Sequence, residues 1–391
     1  MGAGITQVPA IEVARNRGHL VVIIENDVTA AGTLLADQIC SDYPFHEVGK
    51  IIQWVDDKGL RPAAVISFCS DAGMALAAEL SNHFGLVGDS WPLTTTLTNK
   101  WEQRRALENS GLNPGWRALR SEEEARNYLK SAPPKFVLKP ADSAGSRGVS
   151  VLSPNDPEAL RKIHGAFKYS KIGTILAEEF IEGTEFTVDG FVIKGSFFPL
   201  LVTEKRRSAA NPTVADQLVS VSVESPEHEI ATQACRRALV SIGRSNGPFH
   251  IEVIVSGSEV KLVEIAGRGG GFLLASRMIA ETTGVDYTSL TLDFYLGLDI
   301  EGELRPTKNL VSILEFVLHS TGLLKKLELP DFWSPFGTVL AGPLKKVGDE
   351  IPEIGSDGDR VAWLLASSKT RDTSERLLEE ARQQITIDVA R

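Results

Sequence analysis

Residues 249–253 alternate strictly between apolar and polar. Phe249, Ile251, Val253 and Val255 fall on one face of an extended strand, and His250, Glu252 and Ile254 fall on the other. A Gly257-Ser258-Glu259 turn follows, and then a second, largely apolar run from Val260 to Ala266. An antiparallel hairpin with one face in a core is what such a pair can form, because a slip of one residue would carry the whole apolar set to the wrong side. With a three-residue loop, Ser256 pairs with Val260, and counting back sets Glu252 directly opposite Glu264. A two-residue loop would shift the register by one and break that pairing. Directly opposed side chains have Cβ atoms about 4.5–5.5 Å apart, where two like charges destabilise each other. Something positive belongs between them. Oxygen ligands without cysteine or paired histidine suit Mg²⁺ or Mn²⁺, and Mg²⁺ is commonly held by one or two carboxylates plus substrate phosphates. A solvated face on which the two glutamates diverge into water is the alternative that the hairpin alone leaves open.

The remaining sequence supplies the frame. Its 391 residues suffice for about two or three domains. "HLVVIIE", "AAVISFC" and "LVG" read as short buried strands separated by helical patterns such as "AGMALAAELSNHFG". They indicate a small parallel α/β unit over residues 1–95, ending near Trp91 and Pro92. A helix then opens with Asn99 as cap and Glu102 at the capping-box position, and Gly111 suits its stop. Strand "KFVLKP", a Ser/Gly loop, strand "GVSVLS" and helix "DPEALRKIHGAF" occupy residues 96–183. Residues 184–305 hold long antiparallel strands, helix "EIATQACRRALVSIG" and the hairpin. Residues 306–391 read as short strands with Gly/Asp/Pro turns, closed by a terminal amphipathic helix with Leu377, Leu378, Ala381 and Ile385 on one face. The class is α/β with α+β elements.

A net charge of −10 argues against nucleic acid or an anionic membrane as a general partner, since both require basic faces. Cys40, Cys69 and Cys235 lie far apart in apolar or helical contexts, which suggests core thiols rather than a disulfide framework or zinc knuckle. The start of the chain has no signal-peptide pattern, and no apolar run approaches roughly 18 residues. A cytoplasmic protein acting on small molecules is expected.

Two further stretches carry chemistry. Lys139 ends a strand just before "PADSAGSRGVSV", where Ser143, Gly145, Ser146 and Gly148 let backbone N–H groups approach an anion. Neither a Walker A loop nor a dinucleotide fingerprint occurs, and a plain hairpin connection is the other reading. "AEEFIEGTEF" sets Glu178, Glu179, Glu182 and Glu185 among Phe180, Ile181 and Phe186, either as a solvated acidic surface or as a nucleotide edge.

Taken in order, Lys100 in "TNKWEQRRAL", Lys139 with its Ser/Gly loop, "AEEFIEGTEFTVDG", Lys205 in "VTEKRRS" and "HIEV...VEIAGRGGG" resemble the ATP-grasp superfamily of carboxylate-amine ligases, from about residue 19 onward. The resemblance implies an ATP-grasp fold with an N-terminal Rossmann-like pre-ATP-grasp domain and a C-terminal subdomain. It implies ATP and Mg²⁺ (or Mn²⁺) as cofactors. Lys100 and Lys139 would hold the α- and β-phosphates, with Ser143, Gly145 and Ser146 in the phosphate loop. Glu178 would accept from the adenine amino group, Glu179 and Ile181 would make backbone contacts, and Glu185 would bind ribose. Lys205 would meet the γ-phosphate, and Glu252 and Glu264 would hold the metal. Where many members have a third metal ligand, Asn, this chain has Ala266.

His250 and Arg268 resemble the branch of L-amino-acid ligases that contains dipeptide synthetases of the bacilysin and dapdiamide types. In such enzymes a carboxylate attacks ATP to form an acyl phosphate, and an amine then displaces phosphate. Arg268 would meet the acyl phosphate or the first carboxylate, the alternative being a surface ion pair. Gly269 and Gly270 would let substrate approach the backbone, or merely form a bend. His250 would orient a carboxylate or accept a proton near the amine, unless it is a structural strand residue. Asp71, at the end of a strand in the first unit, would meet an amino group or cap a helix. A purine-pathway or bicarbonate-using enzyme on the same fold is the neighbouring reading, and a non-catalytic nucleotide-binding module is the distant one. Family habit suggests a homodimer.

Overall fold

The computed structural model describes residues 1–208, 211–330 and 333–390. Among them a nine-stranded antiparallel sheet forms the centre. Its first four strands, in spatial order, are Glu259–Ala266, Gly247–Ser256, Thr184–Ile193 and Ser196–Arg207. Ala215–Ser220, Val311–Val317 and Ala362–Ser368 extend it toward the C-terminal part. Helix Pro226–Ser241 covers the apolar face of the hairpin, started by Pro226 in its first turn and by the Ser225 hydroxyl, which accepts from the His228 N–H at 3.1 Å. Ala231, Ala234, Cys235 and Ala238 of this helix pack on Phe249, Ile251, Val253, Phe186 and Val188 in one buried cluster. Small residues on the helix let it lie close to the large ones on the sheet.

The hairpin corrects one expectation and keeps another. Its loop has two residues, because Ser256 pairs with Glu259 and Gly257 takes the left-handed conformation with φ +61°. That loop alone would set Glu252 against Val263. A β-bulge intervenes between the pairs Val253–Leu262 and Glu252–Glu264, so the two glutamates are opposed after all.

A second sheet of four strands runs Trp116–Leu119, Ile175–Glu179, Phe136–Pro140, Ser150–Leu152, all antiparallel. Helix Ala159–Tyr169 packs its Ile163 and Ala166 against this sheet. Helix Lys100–Ala106 begins at Asn99, whose Oδ1 accepts from the Trp101 N–H at 2.9 Å. Glu102 turns to Arg105 instead of back to the cap, and the helix ends before Gly111.

Three sequence expectations fail in the outer parts. Residues 63–69 and 86–88 are not strands, and the first unit carries a parallel pair, Val22–Ile24 with Gln38–Cys40. Carbonyls of the former segment are taken elsewhere: Ile66 by the Met1 ammonium at 2.8 Å and Phe68 by the Gly269 N–H at 3.3 Å. The terminal helix Arg371–Arg382 buries Leu377, Leu378 and Ala381 as expected, yet it does not close the fold. A strand, Thr386–Ala390, follows it and pairs with Gly322–Glu328. Among the described residues no helix is long and apolar enough to cross a membrane.

Candidate active site

The face of the hairpin turned away from helix Pro226–Ser241 carries the opposed carboxylates, and each has cations beside it. Glu252 Oε1 accepts from Lys205 Nζ at 2.8 Å and lies 3.4 Å from His250 Nε2. Glu264 Oε2 is 2.8 Å from Lys100 Nζ. Burial alone would raise the Glu252 carboxyl, but Lys205 and His250 outweigh it and hold the group well below the usual carboxylate range. The like-charge conflict read from the sequence is real, and it is resolved by ammonium groups supplied from other elements.

The bulge that aligns the glutamates is itself pinned. Arg104 Nη2 donates to the carbonyls of Leu262 (3.0 Å) and Val263 (2.9 Å), and Lys139 Nζ donates to Val263 at 3.1 Å. Arg104 is wholly buried and was not anticipated. It stands one turn after Lys100 in the same helix, so the i, i+4 spacing was a readable signal. Its guanidinium also takes the Glu178 carboxylate in a fork, with 2.8 Å from Nε to Oε1 and 3.2 Å from Nη2 to Oε2. Lys139 Nζ reaches the same carboxylate at 2.7 Å. Glu178 thus positions two cations instead of standing free for a base amino group. Burial brings Lys139 down to about 8, with Glu178 opposing that fall.

Lys100 Nζ donates to the Ser143 carbonyl at 2.7 Å and so ties the Ser/Gly loop to the hairpin. The loop turns through Gly145, Ser146 and Gly148, all with positive φ. A side chain at Gly148 would lie 2.9 Å from Pro140 Cγ, so glycine there is a matter of space as well as conformation. Glu185 is buried between Lys205, at 2.9 Å, and Arg207. On its strand Glu185, Thr187 and Asp189 share one face, and Asp189 was also missed, although that alternation was legible.

Asp189 is fully buried and accepts from the Gly270 N–H at 2.8 Å and from His250 Nδ1 at 2.9 Å. With carboxylates at both ring nitrogens, His250 is pushed up to about 10: burial works against the charge, and Asp189 and Glu252 outweigh it. Both flanking carboxylates therefore favour the protonated ring. The reading of Gly269 and Gly270 is corrected. A Cβ on Gly269 would sit 2.8 Å from the Tyr287 ring, and one on Gly270 would sit 2.9 Å from Asp189 Oδ1. Both are buried behind Arg268 as packing positions. Arg268 and Asp71 meet in a two-bond fork, Nε to Oδ1 at 2.6 Å and Nη2 to Oδ2 at 2.8 Å. Arg268 is buried and Asp71 half-buried, so the pair is not superficial, and Asp71 caps no helix.

One cavity of about 870 Å³, a size suited to a small-molecule site, gathers these groups. Lys100, Lys139, Ser143, Gly145, Ser146, Glu178, Glu179, Ile181, Glu185 and Lys205 line it, together with Asp71, His250, Glu252, Glu264 and Arg268. Gly269 and Gly270 do not. Among the described residues no cluster of three or more His, Cys, Asp or Glu makes a closed metal cage. Ala266, fully buried opposite His250, offers no ligand. Two opposed carboxylates beside lysines are oxygen donors of the type that suits Mg²⁺ in company with phosphate.

Comparison with known proteins agrees with this geometry. Residues 132–276 match the family model of the ATP-grasp domain. Human carnosine synthase 1 is 25% identical over 315 residues, 72% of this chain and 37% of that protein. Dapdiamide A synthase of Enterobacter agglomerans is 26% identical over 198 residues, 46% of each chain. The matches thus span less than half the length of these curated relatives. An L-amino acid ligase from Bacillus licheniformis superposes with a TM-score of 0.79 at 18% identity, over 100% of this chain and 98% of that one. A phosphoribosylglycinamide synthetase from Anaerococcus prevotii gives 0.75 at 20% identity, with the same coverage. Residues 132–276 are therefore an ATP-grasp domain, and the chain as a whole has the ATP-grasp fold.

Proposed function

We propose that the protein is an ATP-dependent ligase that joins the carboxylate of one amino acid or amino-acid derivative to the amine of another, releasing ADP and phosphate. The observation that carries this reading is the opposition of Glu252 and Glu264 on one wall of a cavity whose other groups are Lys100, Lys139, Lys205 and Arg268. Glu252 and Glu264 would hold Mg²⁺, which supplies neutralising charge to phosphate oxygens when bound. The lysines would exchange their present carboxylate partners for phosphate oxygens. Arg268 is forked onto Asp71, so its guanidinium plane is fixed before any substrate arrives. A planar, always charged fork suits the donor carboxylate or the acyl phosphate made from it. No enzyme nucleophile is required, because the donor carboxylate attacks the γ-phosphate and the amine then attacks the acyl carbon. Positioning and charge stabilisation carry the rate.

Curated relatives named carnosine synthase and dapdiamide A synthase support an amino-acid pair over bicarbonate or a purine precursor. The test is release of ADP and phosphate from ATP and Mg²⁺ across all pairs of the common amino acids, with bicarbonate as a further arm and product masses recorded. A product whose mass is the sum of two amino acids less water establishes the reading. Turnover with bicarbonate alone overturns it in favour of a carboxylase. ATP binding without turnover in any mixture points to a non-catalytic module.

A further inference from the structure

Arg360 is an unexplained charge in this cavity. It is only 3% exposed, yet it lines the wall. Its guanidinium lies over the Phe316 ring at 3.8 Å and the Phe272 ring at 4.7 Å from the centroids, and those rings meet edge to face at 80°. Its Nε and Nη2 both donate to the Ala215 carbonyl, at 3.2 and 2.7 Å, and Nη2 also donates to Asp357 Oδ1 at 2.7 Å. Among the described residues Nη1 has no hydrogen-bond partner, and it is not one of the side-chain nitrogens sealed from solvent. A guanidinium clamped by two rings and two acceptors, with one amino edge left open to a cavity, is a preorganised oxyanion donor.

Its surroundings say which oxyanion. Phe272 follows Arg268 by four residues, so the loop that carries the catalytic candidate also carries one of the clamping rings. Asp357, which braces Arg360, lies 3.5 Å from the Ser146 hydroxyl on the Ser/Gly loop. The Arg360 edge therefore adjoins the phosphate end of the cavity, while Leu218, Leu274 and the two rings give it apolar neighbours. On the ligase reading above, the donor's carboxylate is consumed by phosphorylation. A carboxylate that persists through the reaction belongs to the amine-bearing substrate.

We propose that Arg360 binds the carboxylate of the amine substrate through Nη1, so that the acceptor is an amino acid and not a simple amine or a sugar amine. Phe272 and Phe316 fix the plane of the guanidinium and contact the acceptor's side chain. Asp357 acts through Arg360 as a positioning residue.

Calorimetric titration tests this, with the twenty common L-amino acids and their α-carboxamides added to the full chain holding Mg²⁺ and a non-hydrolysable β,γ-imido analogue of ATP. Expected is at least one amino acid whose amide binds about tenfold to a hundredfold more weakly, the range for a lost hydrogen bond to a charged group. Arg360→Gln should weaken the acid by the same factor and leave the amide unchanged, so that the two losses are not additive. Because Arg360 also holds Ala215, Phe316→Leu serves as a second variant that keeps the guanidinium but loosens its plane, with an intermediate loss for the acid alone. Equal binding of acid and amide by the unaltered protein overturns the proposal without any variant. So does equal weakening of both by Arg360→Gln, or no binding of any amino acid at millimolar concentration. Failure here and failure of the ligase reading are distinguishable. Acid-selective binding without ADP release removes the ligase and leaves the Arg360 site, whereas turnover of acid and amide alike does the reverse.

Discussion

The two faces of strand Gly247–Ser256 differ as much as any two surfaces in the molecule. On one face Phe249, Ile251 and Val253 are completely buried against helix Pro226–Ser241, and Phe249 stacks on Phe197 at 5.1 Å. On the other, one residue away at each step, His250 and Glu252 join a chain of alternating charges that runs through Asp189, Lys205 and Glu185. The first face gains free energy from apolar burial and close packing. The second gives some of it up, because desolvated ion pairs at best offset the cost of burying them. A strand with period two can hold both, provided its register never slips. The same strand thereby anchors the site in the core and presents reactive charge to the cavity.

Deleting Val263 removes the bulge, and with it the carbonyl that Arg104 and Lys139 hold, and should have the largest effect. Glu252 and Glu264 would stay opposed across a regular ladder, but the partner strand would lose its anchor on those two cations, and ligation should fall to background. Near-native far-UV circular dichroism with retained activity would show that the bulge is dispensable. Glu252→Gln leaves the register intact and removes one charge. ATP-dependent turnover should drop on the order of 10³-fold, as for the loss of a group that stabilises transition-state charge, while thermal stability changes little because Lys205 keeps Glu185 and His250 keeps Asp189. A loss of folding comparable to the loss of rate would erase the distinction between the faces. Phe249→Ala should do the opposite, costing about 3–5 kcal/mol in denaturant unfolding with kcat of the folded fraction preserved.

The smallest effect is a pH dependence with opposite signs for the two properties. Lys139 titrates near 8 in the folded protein, lowered by burial. Raising pH through that value removes the ammonium expected on a phosphate, so kcat/KM for ATP should fall about tenfold per pH unit above it. The unfolded chain keeps this proton to about pH 10.4, so unfolding takes up a proton between the two values. The contribution of this group to stability therefore rises with pH in the same window. Parallel pH profiles of kcat/KM and of unfolding midpoints check the pair of signs. A kcat/KM profile that stays flat to pH 10 would remove Lys139 from phosphate binding.

Much of this was legible along the chain. The strict alternation of 249–253, the Asn99 cap, Lys139 at a strand end and the order of the charged motifs all rest on local chemistry, which a sequence displays directly. The loop length was not legible, because Gly257-Ser258 and Gly257-Ser258-Glu259 are both acceptable turns and only the partner strand chooses between them. Residues 63–69 looked like a strand from their apolar content, yet the Ile66 and Phe68 carbonyls pair with Met1 and Gly269, contacts that no window of local sequence can contain. Gly269 and Gly270 could not be told apart from substrate-binding glycines until Tyr287 and Asp189 were seen against them. Arg360 carried no signal, since its meaning depends on two rings that lie 44 and 88 residues away.

The sequence by itself determined which side chains could carry charge at each strand position and which face of the hairpin had to be buried, because period and residue type are local properties. The tertiary structure alone decided which charges meet. Only folding brings Lys100 and Lys205 beside the glutamates, hangs the bulge on Arg104 and Lys139, and forks Arg268 onto Asp71 across 197 residues of chain. Ion pairs of that kind form where desolvation and geometry are settled together, and both are properties of the packed molecule.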